Sequence, residues 1–218
     1  ELVRIGTVVE TPLNCLAILA DGPISEIADL AGKTVGFSVG GFEDALLGQM
    51  LETHGLSLDD VSLVNINFAL SPALIAGRVD AVIGAFRNFE MTQLALEGSA
   101  GRAFFPEEHG VPVYDELIYV ARSDALEDQR LRAFVDATEQ ATIWLTNHPQ
   151  EAWEMFVATY PDLDDELNRR AWIDTLPRLA KRPAALDRAR YDRFATFMLE
   201  RGLITETVPV DTYAVELD

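Results

Sequence analysis

Up to Phe86, apolar positions fall into short unbroken or alternating runs, and after Leu126 they recur at helical spacing. Residues 3–9 and 15–19 are aliphatic runs that read as strands. Asp21-Gly22-Pro23 is a turn. Ser25 is placed to cap a short helix at 26–30, which Gly32 ends. Residues 34–37 read as the next strand, and 42–54 as a helix closed at Gly55 by a left-handed cap. Residues 61–67 alternate apolar and polar, the period of a strand. Ser71-Pro72 opens a helix that runs to Gly77, and 81–85 is an apolar, buried-type strand. This strand–helix alternation predicts parallel strands with right-handed crossovers.

Past Phe86 the pattern changes. Residues 97–110 are loop-like, with glycines, Pro106 and the adjacent acids Glu107 and Glu108. Residues 117–121 read as a strand. Residues 131–146, 149–159, 164–172 and 183–201 carry apolar side chains three to four apart and read as helices. The expected fold class is α/β. An α/β stretch bracketed by a strand-rich start and a helical tail suits one lobe inserted into another. Residues 33–112 are then the second lobe, and 1–32 with 113–218 the first.

With 218 residues, 49% of them hydrophobic, the chain is long and apolar enough to bury a core. Its net charge of -19, from 36 acidic and 17 basic residues, opposes docking on nucleic acid phosphates. No basic patch offsets it, because Arg169 to Arg193 are interleaved with Asp164, Asp165, Asp174 and Asp187. Cys15 is the only cysteine, so no internal disulfide forms, and its apolar surroundings mark it as a buried small hydrophobe. His54, His109 and His148 show no metal-ligand spacing, and no metal is expected. No apolar run approaches a membrane span. No basic start with an apolar stretch marks a signal segment. The chain instead opens inside an extended segment without an initiator methionine, as expected of a processed or truncated product.

The most informative local pattern is Gly36-Phe37-Ser38-Val39-Gly40-Gly41-Phe42-Glu43-Asp44. A strand turning through glycines into a helix start leaves backbone N–H groups without helical partners. Those donors and the helix dipole suit a carboxylate, a phosphate or a polar carbonyl oxygen. An ordinary glycine turn of an α/β protein has the same pattern.

Several further segments occur in order: Thr11-Pro12-Leu13-Asn14-Cys15, the Gly40-Gly41-Phe42-Glu43-Asp44 loop, Val64-Asn65-Ile66-Asn67-Phe68 and Gly84-Ala85-Phe86-Arg87-Asn88-Phe89-Glu90. Phe104-Phe105-Pro106-Glu107-Glu108-His109-Gly110 and Tyr114-Asp115-Glu116-Leu117 follow. Together they resemble the periplasmic binding proteins that capture thiamine pyrimidine precursors, such as formylaminopyrimidine, for ABC-type importers. The resemblance runs the length of the chain. It implies a two-lobed, type II periplasmic binding protein fold that closes over its ligand. It also implies an extracytoplasmic location and a membrane permease as partner. Family members begin with a further strand-helix-strand stretch of the first lobe, so the first lobe here is expected to be incomplete. The fungal enzyme that makes hydroxymethylpyrimidine phosphate shares the fold.

An aminopyrimidine is flat, neutral and rich in donors and acceptors, so its site needs aromatic faces and ring-edge partners. The resemblance makes Glu90 the ring-edge anchor, in place of a solvated helix-start carboxylate. Phe86 is the expected stacking face. Arg87 is expected to brace Glu90 or to face solvent, and Asn88 to bond the ligand or make a turn. Asn14 bonds the ring or caps a turn. Ser38, Gly40, Gly41 and Phe42 are expected to line the interlobe cleft and hold a formyl or amide oxygen. Trp144, Trp153 and Trp172 read as core, with Trp172 the one within reach of the cleft.

Capture without bond chemistry is the expectation, since no Cys/His cluster or nucleophile–base spacing is present. No cofactor is expected. The synthase of the same fold carries a cysteine-rich motif that this chain lacks. Receptors for sulfonate or nitrate share the architecture, but the Glu90 carboxylate would repel an anion.

Overall fold

Aliphatic runs become strands here wherever glycine, proline or acidic turns bound them, and the computed structural model describes residues 1–217. In chain order the strands and helices are β1 (Leu2–Val9), β2 (Asn14–Leu19), β3 (Thr34–Phe37), α1 (Phe42–Glu52), β4 (Ser62–Asn65), α2 (Leu70–Ile75) and β5 (Ala81–Phe86). There follow α3 (Glu90–Leu96), β6 (Gly101–Phe104), β7 (Leu117–Arg122), α4 (Gln129–Asn147), α5 (Pro149–Thr159), α6 (Glu166–Thr175) and α7 (Arg188–Glu200). Two compact units result, one of Glu1–Pro12, Val113–Leu199 and Ile204–Asp218, the other of Leu13–Pro112 and Glu200–Leu203.

The second unit is built on a five-stranded sheet of order β4-β3-β5-β2-β6. Strands β3, β4 and β5 run parallel, but β2 is antiparallel to both β5 and β6. The all-parallel sheet expected from the strand–helix alternation is therefore a mixed one. Because β2 is hydrogen-bonded on both edges in this sheet, the unit opens at Leu13 and not at residue 33. Strand β6 lies within the stretch 97–110 that reads as loop. It is four half-buried residues at the sheet edge, too short to show a period.

The register of β2 on β5 slips between Cys15 and Leu16, which face Ala85 and Ile83 and leave Gly84 as an extra residue. Alternation would put Val82 and Ala85 on opposite faces. The bulge at Gly84 turns both into one core with Cys15, Ala17, Leu70, Ala73, Leu74, Val79 and Leu94. Leu16, Ile18, Val35, Leu46, Leu47, Met50, Leu51 and Ile83 are likewise buried. Each such side chain removed from water contributes about 1.5–3 kcal/mol. Arg201 reaches α1 from the tail segment and grips Glu52 at 2.6 and 2.8 Å.

In the first unit β1 and β7 pair antiparallel, and Ile5, Ala121 and Val135 form a small core. The expected helix at 183–201 begins only at Arg188. The carbonyls of Pro183 and Ala184, in the irregular stretch before it, accept hydrogen bonds from buried Arg4, each at 3.1 Å. Arg4 also donates to Thr7 Oγ1 at 2.8 Å, and Thr7 donates to Asp115 at 2.7 Å. Arg190 and Tyr191 Oη complete the shell of Asp115, at 2.5 and 3.1 Å. Burial, and then the Asp115 charge, push the Tyr191 hydroxyl up to about 12. Asp128 and Asp165 cap α4 and α6 by accepting N–H bonds from Arg130 and Asn168. Trp153 and Trp172 pack edge-to-face at 5.8 Å, with Phe156 against both, so Trp172 belongs to the helical core. No helix among the described residues is long and apolar enough to cross a membrane.

Candidate functional site

The sheet of the second unit gathers the candidate residues at one end. Parallel strands β3 and β5 both finish there, at Phe37 and Phe86. Strand β2 runs the other way and so begins there, with Asn14 paired opposite Phe86. Ligand sites of open α/β sheets sit outside such carboxyl ends.

Past Phe86 the chain turns sharply and enters α3 at Glu90. The carboxylate of Glu90 folds back, and its Oε2 accepts the Phe86 N–H at 2.6 Å. Glu90 is half-buried. Desolvation pushes its carboxyl above the ordinary range, against the opposing pull of the Phe86 N–H. Glu90 and Phe86 therefore meet through a turn and not along one face of a continuous helix. Phe86 is half-buried, and Asn88 is buried within the turn.

Arg87 does not brace Glu90. Its guanidinium makes a bidentate pair with Glu107 at 2.6 and 2.9 Å and lies 4.0 Å from the Phe105 ring centroid. It also donates to the carbonyl of Asn14 at 3.0 Å, and its backbone N–H to that of Leu13 at 2.9 Å. Arg87 thus ties the turn after β5 to the start of β2 and to the segment after β6. A planar fork with several donors can do this, and a lysine cannot. The Glu107–Glu108 doublet is accordingly structural on its Glu107 side.

The side chain of Asn14 is buried, and its Oδ1 accepts the N–H of Gly84 at 3.2 Å. Gly84 has φ +97°, which favours glycine, and Asn14 holds the backbone group that the bulge takes out of the ladder.

The glycine loop differs from expectation. Its N–H groups at Ser38 and Val39 are taken by the chain's own Glu43, whose Oε2 accepts them at 2.8 and 3.1 Å. Ser38 Oγ donates to the other carboxylate oxygen at 3.0 Å. The Gly41 N–H goes to Asp44 at 2.9 Å. Gly40 and Gly41 are exposed at the loop tip, and Phe42 is half-buried at the start of α1. Glu43 is only 4% exposed, and desolvation pushes its carboxyl above the ordinary range. The expectation that Ser38 offers its N–H to a ligand oxygen is therefore corrected. A carboxylate is bound there, but it is supplied by α1.

Glu43, Gly84 and Glu107 are residues of this end that sequence reasoning missed. An isolated glycine in the buried run 81–85 was the available signal for a bulge. Nothing local linked Glu43 to Gly84 or Glu107 to Arg87. Tertiary structure also joins two histidines that sequence spacing leaves apart: His54 Nε2 lies 3.1 Å from His109 Nδ1. No group of three metal-ligating side chains exists among the described residues.

The model of the family described as NMT1/THI5 like matches residues 1–152. The chain belongs to that family. A Haemophilus influenzae protein assigned to thiamine biosynthesis is 53% identical over 218 residues, covering all of this chain and 69% of the relative. The formylaminopyrimidine-binding protein of Halalkalibacterium halodurans is 32% identical over 169 residues, 77% of this chain and 50% of that protein. A 4-amino-5-hydroxymethyl-2-methylpyrimidine phosphate synthase of Legionella pneumophila is 25% identical, over 94% of this chain and 65% of its own length. Among solved structures, the alkanesulfonate-binding protein SsuA of Xanthomonas axonopodis pv. citri, bound to MOPS, superposes with a TM-score of 0.73. It is 20% identical, and the match covers 98% of this chain and 73% of SsuA. The α/β fold is thus that of periplasmic solute-binding proteins. This NMT1/THI5-like chain spans roughly half to two thirds of the length of these sequence relatives.

Proposed function

We propose that this chain is the solute-capturing part of an ABC-type importer for a thiamine pyrimidine precursor of the formylaminopyrimidine kind. The observation that carries the reading is Glu90. It is a half-buried carboxyl with a raised pKa, fixed by the Phe86 N–H at the carboxyl ends of β3 and β5. Such a group accepts from an exocyclic amine or, when protonated, pairs with a ring nitrogen. Phe86 supplies a ring face for stacking. Asn14 and the turn at Asn88 lie at the same end, with Phe42 across the glycine loop. Arg87 acts indirectly, by holding the turn that carries Glu90.

The role is capture and hand-over to a permease outside the cytoplasm. The formylaminopyrimidine-binding relative and the periplasmic solute-binding fold support it. Synthase chemistry is disfavoured, because the single cysteine is buried in the β2–β5 core with its thiol on the Ala85 carbonyl at 3.1 Å.

Calorimetric titration with formylaminopyrimidine tests the reading, on wild type, Glu90→Gln and Glu90→Ala. Glu90→Gln keeps the acceptor for Phe86 and turns the second oxygen into a donor. It should weaken binding at least tenfold, as expected for loss of a charged hydrogen bond of about 1.5–3 kcal/mol. Unchanged affinity in both variants would move the anchor away from Glu90, with Asn14 next in line.

A further inference from the structure

Three donors at the start of α1 converge on a single carboxylate, which the chain supplies from its own side chain. The donors are the N–H groups of Ser38 and Val39 and the hydroxyl of Ser38, at the N-terminus of the eleven-residue helix α1. Their ligand is the carboxylate of Glu43, from the first turn of that same helix. Two other elements shape the seat. A Cβ built on Gly84 would come within 2.3 Å of Glu43 Oε1, so only a glycine at the β5 bulge admits the carboxylate. Asn14 from β2 holds the Gly84 N–H and keeps the bulge in place. The result is a buried carboxylate with donors on one side and a glycine Cα on the other.

We propose that Glu43 is a specificity-determining residue. It occupies the oxyanion hole of the glycine loop permanently and so excludes sulfonate, nitrate and carboxylate ligands from this end of the sheet. An incoming anion must displace a hydrogen-bonded carboxylate or sit beside it against like-charge repulsion in a partly desolvated place. A neutral ring carries no such penalty. Exclusion of charge in favour of a neutral heterocycle rests on the pyrimidine reading above, whereas occupation of the hole by Glu43 does not.

Acetate is the probe, since Glu43→Ala removes the equivalent of one acetate from the seat. Melting of wild type and Glu43→Ala is compared at neutral pH in sodium acetate and in sodium chloride of equal ionic strength. Glu43→Ala should melt below wild type in chloride. Acetate at about 50 mM should raise its Tm by roughly 3–6 °C more than chloride does, with no such difference in wild type. Methanesulfonate titrations should show at least tenfold tighter binding to Glu43→Ala than to wild type. Failure of acetate to outdo chloride on Glu43→Ala, whether in stability or in recovery of the folded state, overturns the proposal. So does uptake of methanesulfonate by wild type with shifts in the Ser38 and Val39 amide resonances. A wild type that ignores formylaminopyrimidine while Glu43→Ala answers to acetate would sink the pyrimidine reading and leave Glu43 as the occupant of the hole.

Discussion

Glu90 and Glu43 are carboxyls whose burial raises their pKa above the ordinary value of 4.5. For both, the charged form is less favourable in the folded protein than in the unfolded chain. Their contribution to stability is complete below pH 4.5 and is lost as pH rises through the raised folded values. Glutamine at position 90 cannot ionise. The stability of Glu90→Gln relative to wild type should therefore rise as pH increases from about 4.5 toward 7, measured by urea unfolding at stepped pH. A constant offset across that range would show that Glu90 does not carry the titration. Gly84 is the second test at this scale. Gly84→Ala meets both a φ of +97° and the Glu43 carboxylate. It should cost about 2–4 kcal/mol by the same measurement, the sum of backbone strain and overpacking. A loss below about 0.5 kcal/mol, ordinary for a surface change, would mean that the bulge and its buried carboxylate can part without consequence.

Among the elements, the segment after β6 is held to the turn after β5 by one ion pair, Arg87 with Glu107. Their side chains are 9% and 22% exposed. Removing Glu107 leaves a largely buried guanidinium with only carbonyl partners, and loss of a buried partner is costlier than the pair's net worth. Glu107→Ala should destabilise by about 2 kcal/mol, discounted for the partial exposure of Glu107. It should also weaken binding of the proposed pyrimidine ligand through the turn, with faster amide exchange at Arg87 and Asn88. If exchange there is unchanged while binding falls, Glu107 acts by another route. The strand-glycine-helix pattern at 34–52 was legible because glycines and first-turn acids mark a helix start locally. Strand β6 was not, because four residues at a sheet edge carry no period. The antiparallel entry of β2 was equally hidden, since strand direction depends on where a connection delivers the chain.

Over the whole molecule, a net charge of -19 places many like charges on one folded surface. Self-repulsion of that kind lowers stability at low ionic strength and is screened by salt over a Debye length of about 10 Å at 0.1 M. Raising sodium chloride from about 0.02 to 0.3 M should increase Tm, by differential scanning calorimetry at neutral pH. A fall would show that paired charges such as Arg201 with Glu52 outweigh the net repulsion. Arg4 shows the opposite economy of charge. It is buried in the first unit against backbone carbonyls and linked through Thr7 to Asp115. A single cation there organises a stretch that sequence reading assigned to a helix starting at 183.

Sequence alone determined the α/β class and most helices and strands. Each of these follows from local physics: periodicity, glycine and proline turns, and helix-start acids. The family resemblance rests on the same contiguous motifs. Tertiary structure decided the partners. Ser38 meets Glu43 instead of a ligand, Asn14 meets the Gly84 amide, and Arg87 meets Glu107. Those pairings depend on sheet order, on a one-residue bulge and on which strand runs backwards. None of these is written in the spacing of residues along the chain, because they arise only when distant segments compete for the same donors and the same space.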